Sequence, residues 1–173
     1  MYTRVVSFLY YKEIVIREDR CMATIVEVRG DLFKSPVIGQ EHTMIAHCVS
    51  ADYALGAGFA LEIENRYHVK ETLKSIGTYN YPDCLAVGNV LNLVTKGAYW
   101  TKPTYETFRK SLEMAKNYCL KNEVTVIIMP QIGCGLDKLT WRDCKQIIEK
   151  VLVENGIDCI VYHYKVRGSK RLW

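Results

Sequence analysis

The chain has 173 residues, of which 49% are hydrophobic and 24% charged, and carries a formal net charge of +4. That length fits one domain burying ~70% of its unfolded surface, so its core needs no disulfide or metal staple. The positive charge is mild and, outside a basic stretch from Lys165 to Arg171, scattered; with no recognition motif beside it, it argues against sequence-specific nucleic-acid binding.

Seven cysteines (Cys21, Cys48, Cys84, Cys119, Cys134, Cys144 and Cys159) form no Cys-x-x-Cys pair. His42, His47, His68 and His163 add no zinc-ligand spacing. An odd number of thiols, several in apolar runs, reads as reduced small hydrophobes in an intracellular protein. The apolar run from Val5 to Tyr11 is too short to cross a membrane and lacks a cleavage pattern.

Residues 1–22 read as an extension, which either adds an edge strand between Val5 and Val15 or is dispensable, with Met22 a second start. The domain spans residues 23–165, and a basic tail follows over 166–173. Thr24 to Arg29 is β-rich and reads as a strand ending in Gly30-Asp31-Leu32-Phe33. Asp31 either accepts a hydrogen bond from a ligand amine or closes an Asx-turn or cap. Thr43 to Val49 reads as a buried strand, and His47 within it as a satisfied core histidine, since nothing near it in sequence is built to pair with it. Ser50-Ala51-Asp52-Tyr53-Ala54-Leu55-Gly56-Ala57-Gly58 then leads into a helix reaching about Tyr67, with Phe59, Ile63 and Tyr67 on one face.

Residues 70–82 are polar, contain Gly77 and Pro82, and read as a loop. Cys84–Val87 and Val90–Thr95 read as strands joined by the hairpin signal Gly88-Asn89. Lys96 follows, a solvated charge unless the fold sets it in a cleft. Thr101-Lys102-Pro103-Thr104 opens a helix with Pro103 in the first turn; Phe108, Leu112, Ala115 and Cys119 form its buried face, and Lys121-Asn122 end it. Val124 to Ile128 is a β-branched strand, and Met129 to Asp137 a glycine-rich turn. Thr140 caps the next helix, which starts at Trp141, buries Ile147, Ile148, Val151 and Leu152, and stops near Asn155-Gly156. A last strand runs from Ile157 to Tyr164.

Strand, glycine turn, helix is an order that can aim backbone N–H groups at phosphate; it is also the order of a plain tight turn. Gly133 and Gly135 tolerate positive φ and hold no Cβ against a ligand. Alternating strands and helices imply parallel crossovers, and the hairpin implies a mixed sheet. The expected architecture is a three-layer α/β/α sandwich with its glycine loops lining one crevice.

Six pieces, in order, carry a resemblance: Gly30-Asp31-Leu32-Phe33, Ala46-His47-Cys48-Val49-Ser50, Gly56-Ala57-Gly58, Thr95-Lys96, Lys102-Pro103-Thr104-Tyr105 and Ile132-Gly133-Cys134-Gly135-Leu136-Asp137. From about residue 24 to 164 the chain resembles the macrodomain family of ADP-ribose-binding α/β/α folds, and within it the terminal ADP-ribose protein glycohydrolase branch. The resemblance implies that Asp31, with Leu32 beside it, contacts the adenine amine. It implies that the Gly56–Gly58 loop faces the distal ribose and phosphates, that Ser50 belongs to the substrate-binding site, and that the loop of Gln131, Ile132, Gly133, Cys134, Gly135, Leu136 and Asp137 wraps the diphosphate with backbone N–H groups. Tyr164 matches a position near the adenosine.

In this branch the lysine after the hairpin strand is the nucleophile and the acid closing the glycine loop assists it, which map to Lys96 and Asp137. The implied substrate is ADP-ribose ester-linked to protein glutamate or aspartate; acyl migration to a neighbouring hydroxyl would free the anomeric carbon to open to an aldehyde that a neutral lysine attacks. An ADP-ribose 1″-phosphate phosphatase and a non-catalytic reader of ADP-ribosylated proteins stand as alternatives. The resemblance implies no metal and no cofactor, a monomer with ADP-ribose and ADP-ribosylated proteins as partners, no membrane, a place in nucleus and cytoplasm, and a link to the DNA damage response. Two departures stand out. The paired asparagines of the larger macrodomain hydrolase class are replaced by Ser50-Ala51-Asp52, and the branch's further basic residues after the lysine by Gly97-Ala98.

Overall fold

The computed structural model describes residues 22–163. The expectations for an edge strand between Val5 and Val15, for Tyr164 and for the basic tail lie outside these residues.

Six strands form one sheet: β1 (Ile25–Arg29), β2 (Thr43–Ser50), β3 (Asp83–Val87), β4 (Val90–Lys96), β5 (Val126–Pro130) and β6 (Asp158–His163), in the order β1-β6-β5-β2-β4-β3. All neighbours run parallel except β3, which returns antiparallel to β4 through the Gly88-Asn89 turn, with Gly88 at φ 57°. The sheet is therefore mixed, as its one hairpin requires. Four helices cover it: α1 (Gly58–Tyr67), α2 (Val69–Ile76), α3 (Tyr105–Lys121) and α4 (Trp141–Val151).

Side-chain alternation along β2 divides the interior into two cores. Met44 and Ala46 join Phe108, Leu112, Ala115 and Cys119 of α3 and Cys144 and Ile148 of α4 on one face. Ile45 and Val49 join Ile63 of α1 and Val69 and Leu73 of α2 on the other. Helices on both faces of one sheet give the three expected layers. β2 and β5 lie side by side in the sheet interior, so the loops leaving their carboxyl ends meet over one crevice.

Several local expectations change. Much of residues 70–82 is helical: Val69 and Leu73, one turn apart, are fully buried, and that pair anchors α2 against the sheet despite its polar outer face. Pro103 lies before α3 rather than in its first turn, because Thr104 takes the N-cap and exchanges hydrogen bonds with Thr107 in a capping box. β5 begins two residues later than Val124, whose amide is held by the Cys119 carbonyl at 2.9 Å in the turn after α3. Thr140 occupies the N-cap of α4 but makes no side-chain capping bond.

Candidate active site

A cavity of about 410 Å³ opens between three walls. One is the end of β2, from His47 to Ser50; the second is the Ala54–Ala60 segment entering α1; the third is the glycine loop after β5, from Pro130 to Asp137 without Cys134. Lys96 and Tyr99, from the end of β4 and the turn after it, complete the lining.

Lys96 is not a solvated charge. Its Nζ donates to Asp137 Oδ1 at 2.6 Å, and the two side chains are only 10% and 11% exposed. The sheet accounts for this: Lys96 ends β4 opposite Ser50, and the Ala51 amide donates to the Lys96 carbonyl at 2.8 Å, so β4 runs alongside β2 into the cavity. The glycine loop brings Asp137 in from the other side, 41 residues away in sequence. Lys102 Nζ in turn donates to the Leu136 carbonyl, tying that loop to the segment before α3.

The loop needs Gly133. Its φ is +80°, and a Cβ there would sit 3.1 Å from Cys144 Sγ and 3.3 Å from both Leu139 Cδ1 and Phe108 Cε2. Gly58 has φ +60°, and a Cβ there would come within 3.3 Å of Leu136 Cδ1, so the two glycine segments approach each other across the cavity. Among the described residues, no backbone carbonyl takes the amides of Gly135, Leu136 or Asp137. The N-cap of α1 is Ala57, which offers no side-chain oxygen to cap the first turn. The glycine loop thus presents amides able to take an anion.

Of the expected site residues, the cavity gathers Lys96, Asp137, Ser50, Gly56, Gly58, Gln131, Ile132, Gly133, Gly135 and Leu136. Cys134 sits in the same loop but off the lining, and its thiol donates weakly to the Ile132 carbonyl at 3.4 Å. A hydrogen bond from Cys144 draws the Cys134 thiol pKa down against partial burial and the nearby Asp137 charge. Asp31 caps the short 3₁₀ turn Leu32–Lys34, accepting from the Phe33 amide at 3.0 Å, and Leu32 is fully buried in the core. This end joins the cavity through aromatic contact: Phe33 stacks on Phe59, a lining residue, at 5.4 Å, and the Arg66 guanidinium lies 4.1 Å from the Phe33 ring centre.

His47 is a core histidine, as expected, but only half satisfied: Nε2 and Asn92 Oδ1, from 45 residues away, are 2.6 Å apart, whereas the buried Nδ1 has no hydrogen-bond partner among the described residues. Burial drives its pKa down to about 4, with the Asn92 bond opposing. The sequence assigned no place in the site to Asp52, Tyr99, Leu55 or Phe59, the last read only as part of a helix face. The aromatic and aliphatic three carry no chemical signature by which to pick them out. Asp52 does carry one, an acid two residues past a strand end.

No protein-family model matches the chain. The ADP-ribose glycohydrolase OARD1 of Bos taurus is 39% identical over 158 residues, covering 84% of this chain and 95% of that protein. The protein of the same name from Homo sapiens is 38% identical over 160 residues, covering 85% and 96%. Among solved structures, the macrodomain of Thermus aquaticus DarG superposes with a TM-score of 0.67 at 21% identity, covering 81% of this chain and 98% of that one. The Mycobacterium tuberculosis DarG macrodomain gives 0.66 at 17% identity, covering 81% and 97%. The structural likeness is one of fold; the sequence likeness runs nearly end to end, and with it this chain belongs to the macrodomain family, among the relatives of ADP-ribose glycohydrolase OARD1.

Proposed function

We propose that this chain is an ADP-ribose glycohydrolase that releases ADP-ribose from protein glutamate and aspartate esters, with Lys96 as nucleophile and Asp137 as its proton acceptor. One observation carries the reading: a nearly buried lysine–carboxylate pair at 2.6 Å stands in a cavity whose glycine loop turns the amides of Gly135, Leu136 and Asp137 away from every backbone carbonyl among the described residues. The diphosphate lies along the amides of Gly135 to Asp137 and the start of α1, and the scissile anomeric carbon faces Lys96. Asp31 and the Phe33–Phe59 stack form the adenine end. The glycohydrolase activity named for the OARD1 proteins supports the reaction class.

The ammonium form of Lys96 has no lone pair, so a proton must leave first, and Asp137 is within direct transfer distance. Nζ then attacks the anomeric carbon; a C–N bond forms while the C–O bond to the protein acyl group breaks, and the protein leaves as a carboxylate. The glycosyl-lysine nitrogen loses one proton to solvent, Asp137 returns its proton to the ring oxygen, and the ring opens to a protonated Schiff base, leaving Asp137 ionised. Water, giving up a proton to Asp137, adds to that carbon, and the C–N bond breaks to return the amine and release ADP-ribose. Proton transfer by Asp137 contributes roughly 10²–10⁴-fold.

The test is incubation with a glutamate-modified protein, following ADP-ribose release, beside a phosphate-release assay on ADP-ribose 1″-phosphate. Release by the parent and none by Lys96→Ala, which still binds free ADP-ribose, supports the reading. A parent that binds ADP-ribose but releases nothing is a reader; a parent that releases only phosphate is a phosphatase.

A further inference from the structure

Asp52 does not line the cavity but bonds to two residues that do, Ser50 and Tyr99, and the proposed reaction does not use it. Its Oδ1 accepts from Ser50 Oγ at 2.5 Å and from the Ala54 amide at 3.3 Å, and its Oδ2 accepts from the Tyr99 amide at 2.9 Å. It therefore ties the end of β2 to the turn that follows Lys96. Partial burial works against its charge, but the Ser50 hydroxyl and the two amides win and hold its carboxyl below the ordinary carboxylate value.

The direction of the Ser50–Asp52 bond follows. An ionised carboxylate only accepts, so the hydroxyl proton belongs to Ser50 and is committed to Asp52. Ser50 is 6% exposed and lines the cavity opposite Lys96 in the β2–β4 register. Among the described residues, no amide or side chain donates to Ser50 Oγ. What Ser50 turns to a ligand is therefore a lone pair, with no proton to offer.

We propose that Asp52 is a positioning residue that fixes Ser50 Oγ as an obligate hydrogen-bond acceptor, so that the Lys96 end of the cavity selects a ligand presenting a hydroxyl donor there. The inference rests on the ADP-ribose reading, in which a hydroxyl of the distal ribose is that donor. An anion in the same place, having only acceptors, would meet the Ser50 lone pairs and the Asp52 charge behind them. Asp52 thus sets which distal group the cavity takes, through Ser50 and without touching the ligand.

Calorimetry with ADP-ribose and with ADP, which lacks the distal ribose, tests this on the parent, Ser50→Ala, Asp52→Asn and the double variant. In Asp52→Asn the single amide oxygen that remains cannot serve both Ser50 and the Tyr99 amide, so the hydroxyl loses its fixed direction. Each single change should weaken ADP-ribose binding about tenfold, the value of one hydrogen bond. The double variant should be no weaker than the singles, because both remove the same contact. ADP affinity should stay within about twofold throughout. Parental affinity for ADP-ribose in Ser50→Ala or Asp52→Asn overturns the proposal, as does equal weakening of both nucleotides, which would make Asp52 only an anchor of the Tyr99 turn. Should Asp52→Asn not fold, the ratio of the two affinities in Ser50→Ala decides alone. A parent that binds neither nucleotide refutes the ADP-ribose reading and this inference together; a parent that binds ADP-ribose beside variants that match it refutes this inference only.

Discussion

Two ionic groupings in this fold pair a lysine with a carboxylate in different surroundings. At the edge of the sheet, Glu27 on β1 collects Lys145 at 2.7 Å, His163 at 2.7 Å and Trp141 Nε1 at 3.3 Å, with its side chain 29% exposed. In the cavity, Lys96 and Asp137 have one ion-pair partner each at 2.6 Å and are 10% and 11% exposed. By partner count the edge cluster is the stronger. By physics it is the weaker, because water already solvates its charges and competes for every bond. At the cavity water is largely excluded, so each charge depends on the other, and losing one strands its partner. A polar pair that a protein keeps in so costly a place is a candidate for chemistry rather than for stability.

The sharpest way to break this comparison is to remove the lysine. Lys96→Ala should lower ADP-ribose release from modified glutamate by on the order of 10³-fold or more, as loss of a nucleophile does. Asp137→Ala should slow turnover as well and let a Lys96 adduct accumulate; borohydride trapping and mass spectrometry would find the ADP-ribosyl mass on the peptide containing Lys96. Parental turnover by Lys96→Ala ends the nucleophile assignment.

Stability should separate the two groupings next. Asp137→Ala strands a buried ammonium and should cost about 3–5 kcal/mol in urea unfolding, while Glu27→Ala should cost about 1 kcal/mol or less. Replacing both members of the buried pair with apolar residues, Lys96→Met with Asp137→Leu, should recover most of that loss while activity stays absent. Equal losses for Asp137→Ala and Glu27→Ala would erase the distinction.

His47 extends the comparison to pH. Its pKa falls from 6.5 to about 4 on folding, so between these values the unfolded chain binds the proton more readily. Stability associated with His47 is then fully present above about pH 6.5 and is lost as pH falls toward 4, by roughly 3 kcal/mol at the low end. His47→Gln should flatten that slope in denaturation curves from pH 7 to 4. An unchanged slope would mean that other groups produce it.

The glycines provide a smaller contrast of the same kind. Gly133 and Gly88 both have positive φ, but a Cβ at Gly133 meets three atoms within 3.3 Å, whereas none lies within 4 Å at Gly88. Gly88→Ala should cost the backbone term alone, about 1–2 kcal/mol. Gly133→Ala should cost about 1 kcal/mol more and weaken ADP-ribose binding, because the loop must shift. Thermal melts beside calorimetry would show whether affinity falls only at Gly133.

Asp31→Asn is the mildest test. The amide oxygen can still accept from the Phe33 amide and keep the 3₁₀ turn, so stability should hold within about 0.5 kcal/mol. ADP-ribose affinity should fall up to tenfold if the carboxylate also takes the adenine amine. Unchanged affinity returns Asp31 to a structural cap.

The sequence by itself determined the local events. β-branched runs named the strands, Gly88-Asn89 named the hairpin, and the apolar face of α3 was readable at Phe108, Leu112, Ala115 and Cys119 because helical spacing is a property of the chain. The glycine turn and Lys96 were likewise visible as candidates, and the ordered motifs pointed to the family. What only the tertiary structure decided was pairing at a distance. Leu73 looks like part of a polar loop until a sheet face is there to bury it beside Val69. His47 has no partner until register sets Asn92 beside it, and Lys96 is an ordinary surface lysine until the glycine loop brings Asp137 to it. Asp52 is an acid after a strand until the turn beyond Lys96 gives it the Tyr99 amide. Propensity and periodicity act over a few residues, whereas burial and charge pairing are fixed by which segments the sheet aligns, so the chemistry of the cavity appears only once β2, β4 and β5 lie side by side.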